Sequence, residues 1–335
     1  MEHDSRHCLP TPPAIPPRTG LVRSLATIGL ALVTLTACGG DEPTGPGQLG
    51  APPSARLVVW TSDRREIRMV NLDGTATRTL IAGISSNGGA FPHFDPTRTR
   101  ITLHNGYLGF GRAENVVLID TTGATRRDVG LVHGASTVFN TRLLADGTLL
   151  FVGQVGSPIG LFRVAPTDVA TRIAVLPGLE SGYNNAQEYG GADISPDGTR
   201  VAYLAPTQSG TELRVVNLAN GAVTTLEPNA RSPRWSAQGD RLAYLLPQGD
   251  DMFGLAFEGT LAIINADGTG RRALGTALFS RGFTWSPDGK YLLGRASDAT
   301  PSALRLLRVS DGASALLRFR NASDEFEDYW QPDWR

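Results

Sequence analysis

WSPDGKYLLG, from Trp285 to Gly294, sets an aromatic residue, a Pro-Asp-Gly turn and an alternating strand side by side. The proline presets φ, the aspartate can bond its own backbone, and the glycine supplies the left-handed residue that closes a hairpin. The element recurs as FDPTRTRITL from Phe94, LADGTLLF from Leu144, ISPDGTRVAY from Ile194 and WSAQGDRLAY from Trp235. A truncated copy, WQPD, begins at Trp330, and the successive steps are 50, 50, 41, 50 and 45 residues. Periods of this length are the mark of repeat architectures.

A second element alternates with the first: VNLDGTATRTL ending at Leu80, IDTTGATRRDV at Val129, VAPTDVATRIAVL at Leu176, VNLANGAVTTL at Leu226, INADGTGRRAL at Leu274 and VSDGASALLRF at Phe319. Each reads as strand, turn, strand. Two hairpins per period make a four-stranded sheet that is apolar on both faces, so one repeat cannot bury itself alone and radial stacking is the expected solution. The predicted fold is all-β: a six-bladed β-propeller of four-stranded blades over residues 56–335. The first blade begins near Arg56 without an innermost strand, and the tail from Tyr329 to Trp334 is expected to supply it, closing the ring with the C-terminal strand.

Residues 1–37 read as a lipoprotein signal peptide. Arg18 and Arg23 precede an uncharged apolar run from Leu25 to Leu35, which is shorter than the roughly 20 residues that span a bilayer. Leu35, Thr36, Ala37 and Cys38 follow, a sequence that resembles the bacterial lipobox, in which the cysteine is acylated. Residues 38–55 are Gly- and Pro-rich and read as a flexible tether. Cys38 would carry the lipid anchor, and Gly39 after it resembles the pattern that sorts lipoproteins to the outer membrane. The expected location is therefore the outer membrane, with the propeller facing the periplasm or the cell surface and no transmembrane segment in the mature chain.

Cys8 and Cys38 are the only cysteines, so the mature part has no disulfide, thiol catalyst or Cys-based zinc site. Lys+Arg and Asp+Glu nearly balance at 31 and 32, and no basic stripe marks a nucleic-acid surface. No nucleophile elbow, phosphate loop or dinucleotide fingerprint is present, and no cofactor is predicted. Asp250 and Asp251 lack the alternating oxygen spacing of a calcium loop.

The WSPDG elements and NxDG turns resemble the TolB-type propeller repeats, also called PD40 or WD40-like repeats, from about Arg56 to Trp334. The resemblance implies a propeller fold. TolB itself carries an α/β domain before its propeller, and the short stretch between Cys38 and Arg56 is read as leaving no room for one.

If Phe94, Ile194, Trp235 and Trp285 pack between blades, alternation turns the preceding residues, His93, Asp193, Arg234 and Thr284, toward the central channel. The long connections after Tyr107, Leu179 and Pro247 would form the rim opposite the Pro-Asp-Gly turns, with Tyr183, Tyr189, Phe253 and Phe257 as aromatic binding candidates. Two functions follow. One is a non-catalytic, membrane-anchored binding or scaffold protein of the cell envelope that contacts a protein or cell-wall glycan through the long-loop rim. The other is a metal-dependent polysaccharide lyase or another carbohydrate-active enzyme, suggested by a resemblance of these repeats to oligogalacturonide lyases. In that case His93, His104, His133 and Gln187 would be the metal or base cluster, although the histidine spacings match no short metal signature.

Overall fold

In the computed structural model, the described residues are 46–334 without 53, 62–64, 84–89, 106–115, 130–134, 156–157, 166, 168, 180–190, 209, 249–257, 321–326 and 328. A short 3-10 turn (Pro46–Leu49) precedes β1 (Arg56–Thr61), β2 (Glu66–Asn71) and β3 (Arg78–Ile81). Next come β4 (Ala90–Phe94), β5 (Arg100–Asn105), β6 (Val116–Asp120), β7 (Arg126–Val129), β8 (Ala135–Leu143), β9 (Leu149–Val155), β10 (Ile159–Val164) and β11 (Ala170–Val175). They are followed by β12 (Ala192–Ile194), β13 (Arg200–Thr207), β14 (Gly210–Asn217), β15 (Val223–Pro228), β16 (Arg231–Trp235), β17 (Arg241–Pro247) and β18 (Glu258–Asn265). The last are β19 (Arg272–Trp285), β20 (Tyr291–Ala296), β21 (Leu304–Arg308), β22 (Ser314–Leu317) and β23 (Tyr329–Trp334). Among the described residues no helix is long and apolar enough to cross a membrane.

Turn chemistry explains why the hairpins form where they do. In the copy at Ile194, Ser195 Oγ donates to Asp197 and accepts the amide of Arg200 at 2.9 Å, while Gly198 closes the turn at φ 72°. The copy at Trp285 repeats this with Ser286, Asp288, Tyr291 and Gly289. In the copy at Phe94, Asp95 takes the serine's place and accepts the amides of Thr99 and Arg100. In these copies a buried oxygen directly after the anchor residue is thus what ties the turn.

The same repeat also links one hairpin to the next. Arg200 lies over the Trp235 ring at 4.7 Å and donates to Gly239 O, and Arg241 lies over Trp285 at 5.1 Å. Tyr291 occupies the matching position after Trp285, and its ring stacks at 6.3 Å from that of Trp334. These cation–π and ring contacts tie each hairpin to the next, with the bulk of the cohesion coming from buried Leu, Val and Ile.

Hydrogen bonding groups the strands into five sheets: β23-β1-β2-β3, β4-β5-β6-β7, β11-β10-β9-β8, β12-β13-β14-β15 and a seven-stranded sheet from β16 to β22. The expectation of six four-stranded blades in a closed ring is therefore corrected to four four-stranded sheets and one of seven strands. No sheet closes on itself through hydrogen bonds. The reason lies in β19, which runs 14 residues without a turn and serves β18 with its first part and β20 with its last. Phe279 pairs on both edges, with Gly259 and with Ala296. Gly275 (φ 86°) and Gly282 (φ 85°) accommodate the two register shifts, as bulge glycines do.

Side chains join the sheets. Leu57, Val59 and Val70 of the first sheet pack with Leu293, Leu304 and Leu306 of the seven-stranded sheet, and Val58 and Ile67 pack with Phe94 and Ile101 on the other side. β23 lies antiparallel to β1. The copy read at Trp330 is out of register: Pro332 and Asp333 lie within β23 and form no turn, and Trp334, opposite Leu57, is the buried anchor.

Candidate functional site

Each inner strand ends on a buried anchor: Phe94, Leu143, Ile194, Trp235, Trp285 or Trp334. The pleat turns the preceding residue the other way. His93, Arg142, Asp193, Arg234, Thr284 and Asp333 accordingly line one cavity of about 370 Å³. The six strands that carry them come from five sheets. Pro96, Pro196, Gln238 and Pro287 of the hairpin turns bound the cavity at one end.

Most of the polar wall is engaged in cross-strand bonds. Asp193 Oδ2 accepts the Trp235 amide at 2.8 Å, and its Oδ1 accepts Arg142 Nη2 at 3.1 Å. Asp333 Oδ2 accepts the Phe94 amide at 2.6 Å, and Thr284 donates to its Oδ1 at 2.8 Å. The two indoles repeat a further tie, Trp235 Nε1 to Asp193 O at 3.1 Å and Trp285 Nε1 to Arg234 O at 3.0 Å. Inner strands too far apart to share a ladder are thereby stitched through side chains, which satisfies amides that would otherwise be buried without partners.

Cationic groups gather on the same wall. Arg98 donates from Nη1 to Trp334 O, and Arg234 donates to Pro233 O at 2.8 Å. Burial lowers the pKa of both guanidiniums. Burial also pushes the His93 imidazole well below its usual value, and the charges of Arg142 and Arg234 act in the same direction. His93 Nε2 and Arg142 Nε are buried without a hydrogen-bond partner.

His104 sits behind this wall. Its ring stacks with those of Phe91, 5.0 Å away, and His93, 5.8 Å away, with Nδ1 3.3 Å from Thr141 Oγ1. Burial holds it neutral, and His93 and Arg234 add to the effect. The structure thus brings two of the four residues of the suggested metal or base cluster together, while His133 and Gln187 lie outside the described residues. Among the described residues no three His, Cys, Asp or Glu side chains are grouped closely enough to hold a metal. Cys38 and the rim residues Tyr183, Tyr189, Phe253 and Phe257 also lie outside the described residues, as do Asp250 and Asp251.

Among the six inward-facing residues that precede the strand anchors, Arg142 and Asp333 are those that sequence reasoning missed. The strand-to-strand partner of Leu143 is Leu149, six positions on, whereas Ile194 pairs with Val201 and Trp235 with Leu242, seven positions on. The copy near Leu144 has lost one residue from its turn, so aligning it on Leu144 hid Arg142. Asp333 was hidden by the false turn at Trp330. The available signal was the apolar residue that closes each inner strand, preceded in both cases by a charge.

No protein-family model matches the sequence, and no curated protein matches it. Among solved structures the chain is similar to TolB from Acinetobacter baumannii, with 16% identity, a TM-score of 0.62, and 84% of this chain and 67% of that one covered. A TolB-like chain from Agrobacterium tumefaciens aligns with a TM-score of 0.52 at 12% identity, covering 84% of this chain and 98% of that one. A chain of the nidogen/laminin complex aligns at 0.59 and 10%, covering 83% and 97%. At such identities what is shared is the fold, a distant TolB-like β-propeller.

Proposed function

We propose that this chain is a non-catalytic, lipid-anchored binding or scaffold protein of the cell envelope, held at the outer membrane through Cys38. A protein or glycan partner contacts the rim that bears Tyr183, Tyr189, Phe253 and Phe257. The observation that carries this reading is the use of the cavity acids: Asp193 and Asp333 are engaged by backbone amides and side chains of the neighbouring strands. Carboxylates so engaged serve the scaffold and are poorly placed to act as general bases. The lipobox-like approach to Cys38 supports the envelope location, and the TolB-like fold is in keeping with it.

Anchoring is tested by growing cells with labelled palmitate: the wild type should incorporate label and the Cys38→Ser variant should not. Equal labelling of both would remove the anchor. Rim binding is tested by crosslinking in intact cells. Replacing all four aromatic residues by alanine should abolish the crosslinked species, and its persistence would sink the rim assignment.

A further inference from the structure

We propose that the central cavity is a binding site for a small ligand carrying an oxyanion, a carboxylate or a phosphate, held by Arg142 and His93 with Arg98 and Arg234 beside them. This goes beyond the rim contact and stands or falls independently of it.

Three carboxylates border the cavity, and the wall itself satisfies them. Asp95 accepts from Thr97, Thr99 and Arg100, Asp193 from Arg142 and Trp235, and Asp333 from Thr284, Phe94 and Trp334. The donor side is not matched in this way. Arg142 uses Nη2 toward Asp193 while its Nε has no partner, and His93 Nε2 has none either. A guanidinium carries five N–H donors in a planar fork, a shape that suits the two oxygens of a carboxylate or the face of a phosphate.

Electrostatics point the same way. Arg142 is close enough for its charge to be felt at His93, Arg98 and Arg234, and Arg234 acts on His93 in turn. Asp193 and Asp333 offset part of this cationic charge, and an anion beside Arg142 would offset more of it while satisfying the unpaired nitrogen atoms. A volume of about 370 Å³ lies within the range of sites for small molecules. A cation ligand is disfavoured because the carboxylates that would receive it are already bonded within the wall.

The test is titration calorimetry on the full lipoprotein in detergent, using citrate and inorganic phosphate as separate probes, with sodium chloride at matched ionic strength as the control. Saturable one-to-one binding of citrate identifies a carboxylate site, and binding of phosphate identifies a phosphate site. In either case Arg142→Gln, which keeps a hydrogen-bond donor for Asp193 but removes the charge, should weaken binding by about tenfold or more. His93→Phe keeps the stacked ring against His104 and removes Nε2, so it decides the matter if the Arg142 variant does not fold. Failure of both probes to bind at millimolar concentration overturns the proposal. Binding that is unchanged in a folded variant of either kind also overturns it.

Discussion

Asp193 is 2% exposed and joins three strands: its own β12, β16 through the Trp235 amide, and β8 through Arg142. Asp193→Ala leaves a buried amide and a partly buried guanidinium without their acceptor, and the expected loss is about 3 kcal/mol of unfolding free energy. Urea titration of the variant measures it, and a loss below about 1 kcal/mol would show that the tie is replaceable. Gly198 offers a second test at this scale. Its φ of 72° suits glycine, and an added Cβ would stand 2.9 Å from Leu144 Cδ1 in the preceding sheet. Gly198→Ala should therefore cost about 1–2 kcal/mol, read from the same titration. Four of the six inward residues, His93, Asp193, Arg234 and Thr284, were legible from strand alternation, because the pleat obliges a buried anchor to be preceded by a residue facing the other way. Arg142 and Asp333 were not, since a one-residue change in a turn length shifts the register without altering composition.

At the scale of elements, β19 and β23 carry the departures from a simple repeat. Each hairpin turn was readable from its own ten residues, yet nothing in the run from Arg272 to Trp285 marks the missing break except two glycines at positive φ. β23 contributes Tyr329 and Trp334 to the apolar layer between the first and the seven-stranded sheets, and it covers the inner edge of β1. Removing residues 329–335 should expose that edge and leave Leu57 and Val59 without cover, so the truncated chain should self-associate or lose its cooperative transition. Size-exclusion chromatography and thermal melting followed by circular dichroism report this. A monomer with an unchanged melting temperature would show that β23 is dispensable.

For the molecule as a whole, the buried histidines make stability depend on pH. His104 is held neutral in the fold but titrates near 6.5 once unfolded, so below that pH the unfolded chain binds more protons than the native one. Stability should thus be fully present above about pH 6.5 and fall as the pH drops, by up to about 1.4 kcal/mol per pH unit for His104 until its folded pKa is reached. His93 acts in the same sense, its imidazole also being held well below its usual value by burial. Urea midpoints measured from pH 8 down to pH 5 should show the decline, and His104→Phe should flatten it. A pH-independent wild type would contradict the burial of these rings.

The period, the hairpins, the all-β class and the inward-facing positions of the regular copies were determined by the sequence alone, because each depends on residues within one turn and its two strands. The grouping of strands into five sheets, the register of β8 and β23, and the two unpartnered nitrogens at the cavity, on His93 and Arg142, were decided only in the tertiary structure. They rest on pairings such as Asp193 with Trp235, 42 positions apart, and Phe94 with Asp333, 239 apart. Local propensity does not encode which distant amide a carboxylate will meet; only the packing of the sheets brings the two together.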